Sequence, residues 1–296
     1  MHVTPLTWIT RALWVLLPFT LGALLGDAAA EASTAGADTA LGVAVAAWAV
    51  WVLGLFALFV MLPDALVALR VVAPLPLLAG AVAAVAQTPG ALGWIGLAVA
   101  AAVAVLSMSA DVGSDFVNGS SYGDERRVAL RPPTALLVGP IEAVWAGTAV
   151  PLPVAVVLGV SGQWAGAAVL GVVGAGLAFV GFRALSRLAR RWLVLVPAGI
   201  TVVDPMALAE PILLRRTSIA RLGPAPADTD ALDLTVGAGG LILQVDLSTP
   251  VELVPAPSRR GAVAEPQEVA AVLVAPSRPG ELLRLAESRR IAVARR

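Results

Sequence analysis

Residues 181–192 read GFRALSRLARRW, and this stretch divides the chain into two parts of different character. Apolar sequence with few charges precedes it, and a charged, turn-rich segment follows it. Directly after the hydrophobic run come the arginines Arg183, Arg187, Arg190 and Arg191. Because basic residues accumulate at the cytoplasmic ends of membrane spans, the stretch predicts the point where a last span enters the cytoplasm.

The composition is typical of an integral membrane protein. Of the 296 residues, 58% are hydrophobic and 14% are charged, and the mean hydropathy is +0.87. In soluble domains roughly a quarter of the residues are charged. Residues 1–182 hold nine acidic residues and five arginines, whereas residues 183–296 hold eleven acidic residues and fifteen arginines. The net charge of zero hides this asymmetry and gives no argument for a nucleic-acid partner.

The residue types limit the chemistry available to the chain. It has no cysteine, which excludes disulfides, thiolate catalysis and cysteine metal sites. The single histidine, His2, stands at the terminus, so neither a Ser-His-Asp triad nor a histidine metal site is expected. We therefore predict no catalytic residue, no cofactor and no metal ligand. Every basic residue is arginine, and with the abundant alanine, glycine and proline this indicates a high-GC bacterium such as an actinobacterium.

Six apolar runs predict an α-helical membrane bundle over residues 1–182. A helix of about 20 residues covers roughly 30 Å of hydrocarbon. The runs lie near residues 6–26, 41–62, 66–86, 91–109, 135–160 and 164–182. Prolines interrupt the third and fifth runs, and we expect the bundle to tolerate them because neighbouring helices can satisfy the freed carbonyls. An arginine-rich juxtamembrane segment follows at 183–191, and a separate domain at 192–296.

The arginines predict the orientation of this bundle. With six spans and both ends in the cytoplasm, the loops on the outer side hold no arginine. The inner flanks then hold Arg11, Arg70, Arg126, Arg127, Arg131, Arg183, Arg187, Arg190 and Arg191. This asymmetry favours a multi-pass protein of the cell (inner or plasma) membrane with both termini inside.

The first span has a second interpretation, a cleaved signal peptide. Arg11, the apolar run and the small-residue stretch at 27–30 resemble the three regions of such a peptide. The run is nevertheless long enough to span the membrane, which favours an uncleaved helix. Residues 26–39 then form an external loop. Cleavage would leave five spans and a new N-terminus outside, with the C-terminal domain still in the cytoplasm.

From Trp192 the apolar pattern changes to short strands separated by turns, and the chain ends in an amphipathic helix. The strands are expected at 193–196, 199–204, 212–214, 218–222, 233–236, 241–247 and 251–254, before an apolar run at 267–274 and a helix at 281–290. Residues 192–195, 199–202, 216–222 and 241–247 together resemble the bacterial pleckstrin-homology-like (PH-like) domains attached to membrane proteins. The resemblance implies a small β-barrel or sandwich capped by a helix, with a binding role and no catalytic residues.

Glu142 lies inside the fifth predicted span and is the first candidate functional residue. An ionisable group within a membrane is costly, so it marks a partner, a cavity or a proton-linked role. The simpler interpretation places it near the cytoplasmic face, paired with Arg131 or Arg70. A functional Glu142 predicts a small-solute transporter or channel component that also uses the proline-broken spans.

The polar loop from Asp111 to Arg131 is the second candidate. Asp111 and Asp115 are four residues apart and share one face if the segment is helical, as in the divalent-metal site of a membrane lipid enzyme. With Asp124 they define the hypothesis of a lipid-modifying enzyme, although the longer motif of membrane CDP-alcohol phosphotransferases is missing. A solvated loop is the simpler interpretation.

The arginines of this loop and of the juxtamembrane segment are the third candidate. They are predicted to contact anionic lipid headgroups or a protein partner, and they are Arg126, Arg127, Arg131, Arg183, Arg187, Arg190 and Arg191. An alternative for the loop arginines is that they dock the loop onto the C-terminal domain. An alternative for the juxtamembrane arginines is that they only fix the orientation of the last span in the membrane.

The residue inventory favours a non-enzymatic membrane scaffold or accessory subunit. Its expected partners are the lipid bilayer, anionic headgroups, and either a membrane protein or a second copy of the chain.

Overall fold

A computed structural model describes residues 3–33, 39–256 and 265–294, and the chain divides into two compact units. The helical unit comprises Met1–Gly119 and Glu142–Leu185. The β unit comprises Ser120–Ile141 and Ser186–Arg296. His2 and residues 34–38 of the expected external loop lie outside the described residues.

The helical unit confirms the prediction of about six long apolar helices ahead of a β-rich region. Its helices are α1 (Pro5–Thr20), α2 (Gly22–Ser33), α3 (Thr39–Phe59), α4 (Pro63–Val72), α5 (Leu75–Ala86), α6 (Ala91–Met108), α7 (Ala110–Asn118), α8 (Pro140–Ala149), α9 (Pro151–Val160) and α10 (Trp164–Ala189). Six candidate membrane spans are found among the described residues: Pro5–Glu31, Thr39–Phe59, Pro63–Ala86, Ala91–Met108, Pro140–Val160 and Trp164–Ala189. They suggest a multi-pass membrane protein. The first span continues as α2 to Ser33, into the segment expected to be an external loop.

Breaks in the third and fifth spans coincide with prolines. The third span breaks between α4 and α5 at Pro74, and the fifth between α8 and α9 at Pro151. Proline has no N–H and clashes with the preceding turn, so it interrupts a helix. A neighbouring span satisfies one carbonyl at the first break, because the Nε1–H of Trp145 donates to Val71 O (3.0 Å).

Apolar side chains of the helical unit point both inward and outward. Trp14, Leu58 and Leu69 are fully buried, whereas Val85 is 90% exposed and Val172 is 76% exposed. A soluble protein rarely presents contiguous apolar surface, but a bilayer solvates such surface well. The outward residues therefore fit helices that face lipid.

The described residues of the β unit form two four-stranded sheets and a terminal helix. Its elements are β1 (Arg126–Ala129), a short 3-10 helix (Thr134–Leu136), β2 (Trp192–Val196), β3 (Gly199–Val203), β4 (Ile212–Arg215), β5 (Ile219–Pro224), β6 (Leu232–Asp233), β7 (Leu243–Leu253), β8 (Gln267–Val274) and α11 (Pro279–Ser288). The first sheet is an antiparallel meander in the order β1-β2-β3-β4. The second has the order β5-β7-β8-β6, with only the β6–β8 pair parallel.

Strand β1 comes from the loop between the fourth and fifth spans, which the sequence assigned to the membrane domain. It pairs with β2 along its length, from Arg126 opposite Leu195 to Ala129 opposite Trp192. The chain therefore leaves the β unit at Ile141, forms the last two spans, and returns at Ser186. Those spans are an insertion between two adjacent strands, and the boundary predicted at residue 192 misses the segment before them.

The core of the β unit lies between the sheets and under α11. Alternation along the strands turns Leu193 and Leu195 inward with Val202 of β3, and all three are at most 1% exposed. From the second sheet come Val245 and Val272, and from α11 come Leu282 and Ala286. The apolar run expected at 267–274 is strand β8, and the strands expected at 241–247 and 251–254 form the single bent strand β7.

Candidate functional site

A loop of the β unit binds both segments that connect the unit to the last two spans. We call residues 235–239 the clamp loop. Three of its carbonyls accept hydrogen bonds from residues that precede span five or follow span six. The bonds run from Arg191 Nη2 to Thr235 O (3.3 Å), from Thr134 N–H to Gly237 O (3.1 Å), and from Arg131 Nη1 to Gly239 O (3.0 Å).

The clamp loop and the glycine after it adopt backbone conformations that most residues avoid. Val236, Gly237 and Gly240 have φ values of 57°, 74° and 95°. For a β-branched residue such as Val236 the left-handed region is strained, at a cost of about 1–3 kcal/mol. A Cβ at Gly240 would also overlap the guanidinium of Arg131 and displace it. The hydrogen bonds to the connecting segments hold this strained loop in place.

Arg191 forms a buried ion pair at the centre of this arrangement. Its guanidinium faces the Asp204 carboxylate through Nε–Oδ1 (2.8 Å) and Nη2–Oδ2 (2.7 Å) contacts, and the two side chains are 1% and 0% exposed. Nη1 donates to Arg131 O (2.9 Å), and Asp204 Oδ1 also accepts from Met206 N–H (3.0 Å). Charges buried this deeply need such complete pairing. Arg191 therefore acts inside the domain, although the sequence grouped it with candidate lipid contacts.

The loop arginines have distinct surroundings. Arg126 is exposed and donates to the carbonyl of Glu125 (3.0 Å). Arg127 binds the Glu125 carboxylate (2.9 Å) and Ser120 Oγ (2.9 Å), and its guanidinium lies 5.5 Å from the ring centroid of Trp192. Arg127 thus holds the start of β1 against β2.

The Glu125 carboxylate responds to two opposing effects. Burial raises its pKa, but the hydrogen bonds from Arg127 and from the Tyr122 amide, together with the Arg127 charge, lower it. The net result is a pKa below the ordinary value. The carboxylate is therefore stabilised in its charged form by the fold of this segment.

The remaining juxtamembrane arginines lie on the surface. Arg183 is exposed and stacks on Phe179, with 5.6 Å from its guanidinium carbon to the ring centroid. Arg187 and Arg190 are also exposed, and both belong to the β unit. Arg190 borders a groove of about 240 Å³ whose walls are Trp192, Val203, Asp204, Pro205, Leu208, Ala209 and Pro211.

Glu142 lies in the first turn of α8, which begins at Pro140. The predicted span began at residue 135, so the helix start moves Glu142 from the span interior to its end. An acidic residue in a first turn is stabilised by the helix dipole. Its side chain is exposed.

Asp115 caps the first helix from a distant part of the chain. Its Oδ2 accepts hydrogen bonds from Thr4 N–H (2.8 Å), Thr4 Oγ1 (2.6 Å) and Thr7 Oγ1 (2.6 Å). A carboxylate at a helix N-terminus satisfies orphan donors and complements the dipole. Asp115 therefore has a structural task that the spacing to Asp111 does not reveal.

The three aspartates of the enzyme hypothesis are divided between the units. Asp111 and Asp115 belong to the helical unit, on α7, and Asp124 belongs to the β unit. Within residues 3–33, 39–256 and 265–294, no group of three or more His, Cys, Asp or Glu residues is placed to hold a metal ion.

Arg11 is a buried cation with a structural role that its position in the sequence does not reveal. Its Nε and Nη2 donate to Leu58 O near the end of α3 (3.1 and 2.9 Å). The aromatic rings of Trp8 and Phe59 flank the guanidinium, at 4.7 and 4.9 Å. A cation at a helix C-terminus complements the dipole, so Arg11 joins α1 to α3.

Comparisons of the chain with protein-family models, with curated proteins and with solved structures gave no match.

Proposed function

We propose that this chain is a non-enzymatic scaffold or accessory subunit of the cell (inner or plasma) membrane. Its β unit lies in the cytoplasm and binds a protein partner or anionic lipid headgroups. The six apolar helices support the membrane assignment, and the arginine distribution supports the orientation.

The insertion of the last two spans between β1 and β2 carries this proposal. A domain that only needs a membrane anchor requires one connection to one span. Here the β unit is connected to span five before the insertion and to span six after it. The clamp loop binds both connecting segments within the unit, and the Arg191–Asp204 pair fixes the second. Such an arrangement suits a protein whose role is to hold a binding domain at the membrane through two connections.

The strand order supports the PH-like interpretation of the β unit. A four-stranded antiparallel meander, a second sheet and a terminal helix are the parts that the resemblance implies. PH-like domains use such a framework for binding. The groove at Trp192 and the exposed arginines beside it are the surfaces that we assign to this role.

A small-solute transporter is the second candidate, favoured by the proline breaks in spans three and five. It predicts that flux into liposomes is abolished by Glu142→Gln. The position of Glu142 in an exposed first turn supports the scaffold instead.

Reporters fused after Arg296 test the proposed orientation. We expect a cytoplasm-dependent fluorescent reporter to be active there and a periplasm-dependent phosphatase to be inactive. The opposite pattern would overturn the proposal. Purification in mild detergent is expected to retain a companion protein at fixed stoichiometry or bound anionic lipid, and a chain that retains neither would contradict the binding role.

A further inference from the structure

Arg70 is a charged residue of the third candidate span, on α4. Its side chain is half-buried, and its Nε donates to Ser107 O (3.2 Å) in the last turn of α6. The guanidinium therefore lies at the level where span four ends, near the boundary between hydrocarbon and lipid headgroups. An ionisable residue held within a membrane bundle indicates a partner or a functional site.

The described residues provide one acceptor for this guanidinium, the Ser107 carbonyl. Within residues 3–33, 39–256 and 265–294, Nη1 and Nη2 of Arg70 form no hydrogen bond, and no carboxylate forms an ion pair with Arg70. Neither Nη nitrogen is sealed inside the protein, so a group from outside can reach them. The adjacent donors of a guanidinium match the oxygens of an anion such as phosphate or carboxylate.

Arg11 is a buried cation of the same helical unit, and the protein itself compensates its charge. Its Nε and Nη2 both donate to Leu58 O, and the Asp115 carboxylate attracts it electrostatically. Arg70 has a single carbonyl and no such carboxylate among the described residues. A charge withdrawn from water without a counter-charge is costly, so Arg70 lacks what a bound anion would supply.

Helix α7 makes room for the guanidinium at Gly113. A Cβ at this position would lie 2.9 Å from Arg70 Nη2 and 3.9 Å from Leu66 Cδ2. Glycine inside a helix is destabilising relative to alanine, and Gly113 is the fourth residue of α7. Its presence there lets Nη2 lie directly against the helix backbone.

We propose that Arg70 binds a phosphate group, with Nη1 and Nη2 donating to the phosphate oxygens while Nε keeps its bond to Ser107 O. The site goes beyond the proposed function, because it belongs to the helical unit and not to the β unit. An anionic phospholipid is the expected source of the phosphate, since the guanidinium lies where span four ends. Free phosphate would offer the same chemistry from solution.

Titration of the full chain in nonionic detergent tests the site. Phosphatidylglycerol, phosphatidylcholine with the same acyl chains, and inorganic phosphate are added separately, and the thermal unfolding midpoint is followed. We expect phosphatidylglycerol to raise the midpoint most, and Arg70→Gln to bind it roughly 10–100-fold more weakly. An Arg70-dependent shift as large with inorganic phosphate would make free phosphate the ligand. The absence of an Arg70-dependent shift with either probe would overturn the site.

Arg70→Gln also distinguishes binding from a purely structural role. Glutamine keeps an N–H donor for Ser107 O but removes the charge. If an anion compensates Arg70, the variant without ligand should be at least as stable as the unaltered chain, and it should lose only the shift that phosphatidylglycerol produces. A midpoint lowered equally with and without phosphatidylglycerol would make Arg70 a structural residue and contradict the proposal.

Two further variants test the position of the site. Gly113→Ala displaces Nη2 without changing the charge, so it is expected to weaken binding of phosphatidylglycerol. Arg183→Gln removes an exposed arginine of the same helical unit, and it is expected to keep the phosphatidylglycerol shift. Equal weakening by Arg183→Gln and Arg70→Gln would indicate general attraction of anionic lipid and would overturn the site. Unchanged binding by Gly113→Ala would also contradict it.

Discussion

Trp14 and Trp51 exchange hydrogen bonds: each indole Nε1–H donates to the backbone carbonyl of the other residue, at 2.9 Å in both directions. The residue four positions after Trp14 is Pro18, which has no N–H to offer the Trp14 carbonyl. Trp51 therefore supplies the bond that the proline removes. Gly54 makes room for the pair, because a Cβ there would overlap the Trp14 ring.

Trp51→Phe is expected to destabilise the helical unit by about 1–3 kcal/mol, because it leaves the Trp14 carbonyl without a donor. The free energy of unfolding in mixed micelles measures this. In a Pro18→Ala background the new amide can serve the carbonyl, so the same substitution should cost less. Equal costs in both backgrounds would show that the indole bond does not replace the proline amide.

Arg191→Met is expected to destabilise the β unit by about 3–5 kcal/mol, because it leaves the buried Asp204 charge uncompensated. Limited proteolysis and thermal unfolding of the full chain measure the change. The partly exposed Arg278–Glu281 pair (3.1 Å) at the start of α11 is the control, and Arg278→Gln should cost less than about 1 kcal/mol. Similar losses from both variants would argue against a special role for the buried pair.

Gly240→Ala is expected to cost at least about 1–3 kcal/mol, because the residue has a φ of 95° and a Cβ would displace Arg131. Gly280→Ala, in the first turn of α11 with open space around it, should be neutral or stabilising. Thermal midpoints of the two variants give the comparison. If Gly240→Ala left the thermal midpoint unchanged, the position of the Arg131 side chain would not contribute to stability through its close contact with residue 240.

Lowering the pH is expected to weaken the β1 segment through Glu125. Because its pKa is lower in the folded chain, its contribution is complete above the ordinary glutamate pKa of about 4.3 and is lost as the pH falls through the folded value. The unfolding midpoint measured between pH 3 and 6 should fall more steeply for the unaltered chain than for Glu125→Gln. Parallel curves would assign the acid sensitivity to other carboxylates.

Asp115→Asn is expected to destabilise the helical unit by about 1.5–3 kcal/mol, because the charged acceptor of the Thr4 and Thr7 bonds is lost. Thr7→Val should cost less in the Asp115→Asn background than alone, since both substitutions remove the same bond. Additive losses would indicate that the two residues act independently.

Local sequence pattern predicted most elements of this fold, because spans and amphipathic segments carry their own periodicity. Strands β2 to β5 and β7, the terminal helix and the proline breaks follow from neighbouring residues. The strand expected at 233–236 is wrong for most of its length, because β6 is only Leu232–Asp233 and the clamp loop follows it. Strand β1 does not follow from neighbouring residues. Its four residues begin with two arginines, and its partner β2 follows only after two spans, so no local signal marks it.

Distant contacts also decide which candidate residues have a structural task. Asp115 binds Thr4, 111 residues away, and Arg191 binds the carbonyl of Arg131, 60 residues away. Spacing along the chain grouped Asp115 with Asp111 and Arg191 with its arginine neighbours. Such long-range pairings are fixed by tertiary packing, and a single sequence does not record them.

Insertion of two spans between β1 and β2 also sets an order of events during synthesis. The ribosome releases β1 first. Arg191 lies 60 residues after its partner Arg131, so at about 5–20 residues per second several seconds pass before Arg191 is synthesised. The first sheet can close only after the residues of the two intervening spans have been synthesised. A chain that stops within the last two spans therefore lacks β2 and cannot complete the β unit.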